Sequence, residues 1–245
     1  MRYNYCMGTL SIVSTPIGNL ADITIRAIKT LFSVDIIACE DTRRTGMLLQ
    51  ELKKRYGSIA LHSNILSTQK LVRFDDRQEQ SQTPLLIEYL QQGKNVALVS
   101  DAGTPLISDP GYKLVSEALK RGIQVVSIPG PTAAIAALTS SGLPTNQFLF
   151  LGYPPEKEKH RFDLFQSLLT MKPSNHPTII FYCAPHKLHQ TLTDMQTVMG
   201  DIPIVIAREL TKVHEEVWRG KSSEALQKFE NPQGEFVILL SINSV

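Results

Sequence analysis

One stretch constrains the fold of this chain more than any other. Asn95-Val-Ala-Leu-Val-Ser100 empties directly into a loop running from Asp101 through Ala-Gly-Thr-Pro-Leu-Ile-Ser-Asp-Pro to Gly111. Four consecutive apolar residues bounded by polar ones read as a strand buried on both faces. Gly, Pro and Asp at the density that follows favour turns over any regular element. Tyr112 to Lys120 then returns to helical spacing, and Gln124 to Ile128 reads as a strand running into Pro129-Gly-Pro131. A strand buried on both faces needs helices above and below it. The stretch therefore calls for a mostly parallel sheet covered by helices.

The preceding residues repeat the alternation. Leu10 to Ser14 reads as a strand closing in the turn Thr15-Pro-Ile-Gly18, and Ile23 to Phe32 carries apolar residues at helical spacing. Ile36 to Cys39 is a second strand, after which Thr42 is predicted to cap a helix reaching about Lys54. Ser58 to Leu61 is predicted as a weak third strand. Polar Ser67 to Thr83 is read as a surface loop or short exposed helix, and Pro84 to Leu90 as a helix opening on proline. Beyond Pro131 the pattern is less regular. Helices are expected at Thr132–Thr139, His160–Leu169 and Ser222–Phe229. Strands are expected at Phe148–Leu151, Thr178–Tyr182, Ile202–Ala207, His214–Trp218 and Phe236–Leu240. Ile202–Ala207 and His214–Trp218 have no long helix between them, which implies an antiparallel component. Two α/β domains follow, residues 1–127 and 128–245, divided at the turn Ile128-Pro-Gly-Pro131.

Composition narrows the class. With 42% apolar and 20% charged residues among 245, the chain is neither disordered, coiled coil nor collagen-like. No run approaches the roughly 18 apolar residues that a membrane span needs. Met1 to Leu10 lacks the apolar core of a signal peptide. Cys6, Cys39 and Cys183 are scattered and form no CxxC pair, so neither a disulfide framework nor a cysteine zinc site is expected. These features place the protein in the cytoplasm, with no membrane partner and no metal. Net charge is +2, and the only local bias is eight Lys/Arg against five Asp/Glu in residues 1–60. That leaves RNA open as a partner without arguing for it.

The loops after the strands carry the chemistry. Ligands of open α/β sheets bind at the carboxyl ends of strands. In the loop after Ser100, Gly103 lets the backbone approach closely, and Asp101, Thr104 and Ser108 supply polar groups for a ribose or an amino-acid moiety. The same residues would also suit a rigid turn that satisfies only its own amides. Pro129-Gly-Pro-Thr-Ala133 offers small residues at a helix start, for a planar ligand or for close packing against a sheet. Cys39-Glu-Asp-Thr-Arg-Arg-Thr45 places two carboxylates and two guanidiniums at a helix N-terminus, where they could hold a phosphate, move a proton, or act as a cap with surface ion pairs. GxGxxG, Walker, HExxH and GxSxG patterns are all missing.

Taken in order, Ser14-Thr-Pro-Ile-Gly-Asn-Leu-Ala-Asp-Ile23, Glu40-Asp-Thr-Arg-Arg-Thr45, Ser100 to Gly111, Pro129-Gly-Pro-Thr-Ala133, Arg208-Glu-Leu-Thr-Lys212 and Gly234-Glu-Phe-Val237 resemble one family. It is the ribosomal branch of the tetrapyrrole (corrin/porphyrin) methylases, the small-subunit ribosomal RNA cytidine 2′-O-methyltransferases. The resemblance spans about residues 9–240. It implies a tetrapyrrole-methylase-like fold of two α/β domains with a cofactor cleft between them, in a homodimer. It implies S-adenosylmethionine as cofactor and small-subunit ribosomal RNA as partner. Carried over by position, the cofactor would meet Pro16, Ile17, Asp101, Gly103, Thr104, Ile107, Thr132 and Ala133, then Phe181, Tyr182, Ala207 and Leu210. RNA would be held by Arg43, Arg44 and Lys212.

This chain departs from the family at Phe181-Tyr-Cys-Ala-Pro-His-Lys187, where relatives usually carry a carboxylate at the position of Cys183. It departs again at Leu61-His-Ser-Asn64, where a His-Glu-His-Asn-Glu stretch is usual. Methyl transfer from a sulfonium needs chiefly alignment, but a ribose hydroxyl is a poor nucleophile and benefits from a base. Asp41 is the expected base, oriented by Arg43. The alternatives are a methyltransferase acting on a tetrapyrrole or other small molecule, and a non-catalytic protein that binds S-adenosylmethionine.

Overall fold

The computed structural model describes residues 7–61, 69–171 and 177–241. The chain divides into two compact units, residues 1–132 and 133–245. The division falls five residues after the position expected from sequence, so that Pro129-Gly-Pro-Thr132 stays with the first unit.

The first unit contains strands β1 (Thr9–Val13), β2 (Ile36–Cys39), β3 (Lys70–Arg73), β4 (Val96–Val99) and β5 (Gln124–Ile128). Helices α1 (Ile25–Ser33), α2 (Thr42–Leu61), α3 (Glu79–Gln91) and α4 (Tyr112–Lys120) alternate with them. The sheet order is β3-β2-β4-β1-β5, and every pair is parallel. Successive strand residues serve opposite faces, as the pleat requires. Ile36 and Ala38 of β2 and Val96 and Leu98 of β4 pack with Leu86, Ile87, Leu114 and Ala118 from α3 and α4. Ile37, Cys39, Ala97 and Val99 pack on the other side with Ala27, Ile28 and Leu31 of α1 and Leu52 of α2. This is why the strands read as unbroken apolar runs.

Three expectations fail here. Ser58–Leu61 is not a strand, because α2 continues through it beyond a kink at Tyr56 (φ −125°, ψ 26°). A short run with three apolar residues does not by itself distinguish the two. The third strand is instead Lys70–Arg73, inside the stretch read as a loop. It is an edge strand with exposed Lys70 and Arg73 at its ends, the charged composition that discourages edge-to-edge pairing. Helix α3 begins at Glu79 and takes Pro84 inside it, so proline does not open the helix.

The second unit contains α5 (Ala133–Ser141), β6 (Phe148–Phe150), α6 (Glu158–Thr170), β7 (Thr178–Cys183), α7 (Leu188–Met199), β8 (Pro203–Arg208), β9 (Glu216–Lys221), α8 (Ser222–Lys228) and β10 (Phe236–Ser241). Its sheet order is β6-β7-β10-β8-β9. Only the β6–β7 pair is parallel, so the antiparallel component inferred from adjacent strands is present. Phe181, Ile206 and Ile238 pack against Phe165 of α6, Leu192 and Met195 of α7 and Ala225 of α8. Buried Arg161 ties α6 to α7 through Asp194, with Nη2–Oδ2 at 2.6 Å. Its Nη1 also donates to the carbonyls of Pro155 and Glu156.

Candidate functional site

In a parallel sheet all strands end on the same edge, so the loops after β1, β2, β4 and β5 emerge together. Main-chain and hydroxyl hydrogen bonds knit three of them. Thr15 N–H donates to the Gly103 carbonyl at 2.8 Å, and Gly103 N–H returns a bond to the Thr15 carbonyl at 3.1 Å. Gly103 makes this bridge at φ +89°, a conformation that L side chains rarely adopt. Beside it the hydroxyls of Ser14 and Thr104 lie 2.9 Å apart, and Thr104 Oγ1 donates to the Pro131 carbonyl at 3.0 Å. Gly130 permits this approach, since a Cβ there would lie 2.8 Å from Ser14 Cβ. The fold thus gathers Pro16, Ile17, Asp101, Gly103, Thr104, Ile107 and Thr132 onto three connected loops. Ile107 is 40% exposed, and its neighbours Leu106 (φ 72°) and Ser108 (φ 69°) hold left-handed backbone. Strain of this kind costs about 1–3 kcal/mol per residue and concentrates where ligands bind.

The fourth loop brings carboxylates. Glu40 follows β2, and its Oε1 accepts the Asp101 N–H at 3.1 Å. Asp101 Oδ2 accepts from Arg44 Nη1 at 3.0 Å, while Asp101 Oδ1 is buried with no partner among the described residues. A buried acceptor left unmade is costly and calls for a donor. Hydroxyl or amino groups, such as the ribose and amino-acid ends of S-adenosylmethionine carry, would answer it. Burial first, and then the neighbouring Asp109 charge, push Glu40 up to about 7. Burial likewise raises Asp109 to about 6, against the Ser100 hydroxyl, which lowers it.

Asp41, the base expected from sequence, has a different job. Its Oδ1 accepts the N–H groups of Arg43 at 2.8 Å and Arg44 at 3.3 Å, which caps α2 in place of Thr42. Those amides hold its carboxyl below the usual range, so it is a poor proton acceptor. The carboxylate poised near neutrality is its neighbour Glu40, in the same Glu-Asp-Thr motif but set apart by burial and by the nearby Asp109 charge. Arg43 is exposed, while Arg44 already serves Asp101.

In the second unit, the register places Tyr182, Val237 and Ala207 side by side on β7, β10 and β8. Tyr182 Oη accepts the Ala134 N–H at 3.2 Å, one residue beyond Ala133 at the start of α5. Phe150 meets the Tyr182 ring edge-on at 4.8 Å. Phe181 belongs to the opposite face, packed on Phe165 in the core, so its side chain cannot join this row. Val237 was missed as a row member, because only pairing register reveals it. Leu210 lies between Glu209 (φ 49°) and Thr211 (φ 67°), a second strained loop. Lys212, expected to hold RNA, spends its ammonium on Glu209 at 2.8 Å and Glu235 at 3.1 Å. Cys183 is buried, and burial pushes its thiol up to about 11, so it cannot replace a carboxylate.

The first unit thus presents glycine-bridged loops at one edge of a parallel β3-β2-β4-β1-β5 sheet, and the second is built on a mixed sheet. The profile of the family described as Tetrapyrrole (Corrin/Porphyrin) Methylases matches residues 9–226, and the chain belongs to that family. Ribosomal RNA small subunit methyltransferase I of Synechocystis sp. is 48% identical over 238 residues, 96% of this chain and 79% of the relative. The protein of the same name from Thermotoga maritima is 45% identical over 96% of this chain and 99% of its own length. Among solved structures, a diphthine synthase matches with a TM-score of 0.67 at 15% identity, over 95% of this chain and 90% of that one. Uroporphyrin-III C-methyltransferase from Thermus thermophilus, complexed with S-adenyl homocysteine, matches with a TM-score of 0.62 at 15% identity, over 96% and 99%. At those identities the structures share the fold alone.

The raised Glu40 carboxyl has a thermodynamic signature. Its value in the fold, about 7, exceeds the ordinary 4.5, so between these pH values the folded chain holds a proton that the unfolded chain has released. Stability therefore falls as pH rises through that window. Glu40→Gln carries no charge and escapes the penalty. Thermal melts are expected to show a higher Tm than wild type at about pH 8, with the difference closing toward about pH 4.5.

Proposed function

We propose that this chain transfers the methyl group of S-adenosylmethionine to the ribose 2′-oxygen of a cytidine in small-subunit ribosomal RNA. The observation that carries the reading is 48% identity, over 96% of the chain, to a protein named for small-subunit ribosomal RNA methylation. The reading makes the protein a cytoplasmic homodimer. No helix among the described residues is long and apolar enough to cross a membrane.

S-adenosylmethionine supplies an electrophilic methyl group on a sulfonium. In the first unit, Pro16, Ile17, Gly103, Thr104 and Ile107 would hold the donor, with Thr132 at the end of the adjoining loop. Asp101 Oδ1 would accept from one of its hydroxyl or amino groups, which supports the fit. In the second unit, Ala133, Tyr182, Ala207 and Leu210 remain the candidate contacts, and Phe181 would contribute main chain only. For the proton of the 2′-hydroxyl we assign Glu40 rather than Asp41. An acceptor near 7 suits a reaction run at neutral pH better than one held below the carboxylate range. Exposed Arg43 would meet phosphate, and Arg44 would do so while anchoring Asp101.

Mass spectrometry of nuclease-digested small-subunit RNA from a deletion strain is expected to show the loss of one ribose methylation at a cytidine. Unchanged methylation would refute the reading, and methylation of a porphyrinoid by the purified protein in place of RNA would replace it. Removing the acceptor through Glu40→Gln is expected to lower kcat by about 10²–10⁴-fold. The same variant should lose the rise of kcat through about pH 7 that wild type shows as Glu40 deprotonates. A variant whose pH profile matches wild type would return the role to another group. Gly103→Val places a β-branched residue at φ +89°, a strain of about 1–3 kcal/mol. Calorimetry should find S-adenosylmethionine bound roughly tenfold to a hundredfold more weakly, with circular dichroism near wild type.

A further inference from the structure

Glu79 is the first residue of α3 and belongs to none of the motifs that define the site, yet it is only 9% exposed. A buried carboxylate needs donors. Its Oε1 accepts the main-chain N–H of Gly111 at 2.9 Å and of Lys113 at 3.1 Å, and Lys113 Nζ lies 3.8 Å from Oε2. Those amides belong to the N-terminus of α4, where orphan donors and the helix dipole favour an anion. One helix therefore caps another.

The reason lies at Gly111. This N-cap residue has φ 137° and offers no side-chain cap. A Cβ there would lie 2.6 Å from Leu98 Cδ2 and 3.1 Å from Leu106. Serine or aspartate, the usual caps, cannot be fitted, so the carboxylate comes from α3. The start of α4 is also the far end of the Ser100–Gly111 loop, which contains left-handed Leu106 and Ser108. Such backbone persists only where its surroundings over-determine it. The near end is fixed by Glu40 on the Asp101 N–H and by the Thr15–Gly103 bridge. At the far end the fixing group is Glu79.

We infer that Glu79 is a positioning residue for the methyl-donor loop, setting the affinity for S-adenosylmethionine by clamping the loop's far end without touching the ligand. The inference rests on the assignment of that loop under the proposed function. A merely structural cap would lower the melting temperature and leave ligand binding by the folded protein unchanged.

The test is calorimetric titration of S-adenosylhomocysteine into wild type, Glu79→Gln and Glu79→Ala, each well below its melting temperature. Hydrogen exchange at amides 104–113 is followed in the unliganded proteins. Glu79→Ala is expected to weaken binding about tenfold or more. Glu79→Gln keeps an acceptor oxygen and should recover part of the loss, with exchange quickening in the same order. Kd within twofold of wild type in a folded variant overturns the inference, and Glu79→Gln carries the comparison if Glu79→Ala does not fold. Failure of wild type itself to bind would instead remove the methyl-donor reading of the loop, and the inference with it.

Discussion

The two opposed hydrogen bonds between Thr15 and Gly103 are the constraint on which the rest of the site depends. They join the turns after β1 and β4, which are neighbours in the sheet but far apart in sequence. Once they form, Ser14 meets Thr104, Thr104 reaches the Pro131 carbonyl, and the turn after β5 is drawn in. Glycine at φ +89° is what lets the bridge close. The gathering uses main chain and two small hydroxyls, so it fixes position while leaving Ile107 40% exposed.

Glu40 and Asp41 show how little separates two chemical fates. They are adjacent, both follow β2, and both are carboxylates. Asp41 meets two backbone amides and becomes a firm anion that starts a helix. Glu40 meets one amide, burial and the charge of Asp109, and is held close to neutrality.

Much of this was legible in the residues. The buried parallel strands announced themselves because both faces are covered, which turns pleat alternation into unbroken apolar runs such as Val96–Val99. Edge strand Lys70–Arg73 was hidden because charge at its ends protects the sheet and erases the apolar signal. The motif loops were found, since Gly103 and its prolines mark unusual backbone. Their internal division of labour was not, because it depends on contacts across the sequence. Burial of Glu40 depends on the Asp101 and Asp109 loop packed beside it, and the cross-strand row Tyr182–Val237–Ala207 follows from register, neither of which a local pattern encodes. Lys212, carried over as an RNA contact, pairs with Glu209 and Glu235, contacts that its motif alone does not reveal.

The sheet order also has a consequence for how the protein is made. Of the five strands of the first unit β1 is synthesised first, but it lies between β4 and β5, and its partner for Thr9 is Gln124. At roughly 5–20 residues per second, β1 waits several seconds or more for both neighbours to be synthesised. Until Val96–Val99 is made, Leu10, Ile12 and Val13, buried at the end, have nothing on either side to pair with, and one edge of β1 stays open until Gln124–Ile128 follows. Non-local pairing of this kind slows folding and exposes apolar strand edges in the interval. The nascent first unit is thus most vulnerable to aggregation while β1, the oldest of its five strands, still waits for its partners.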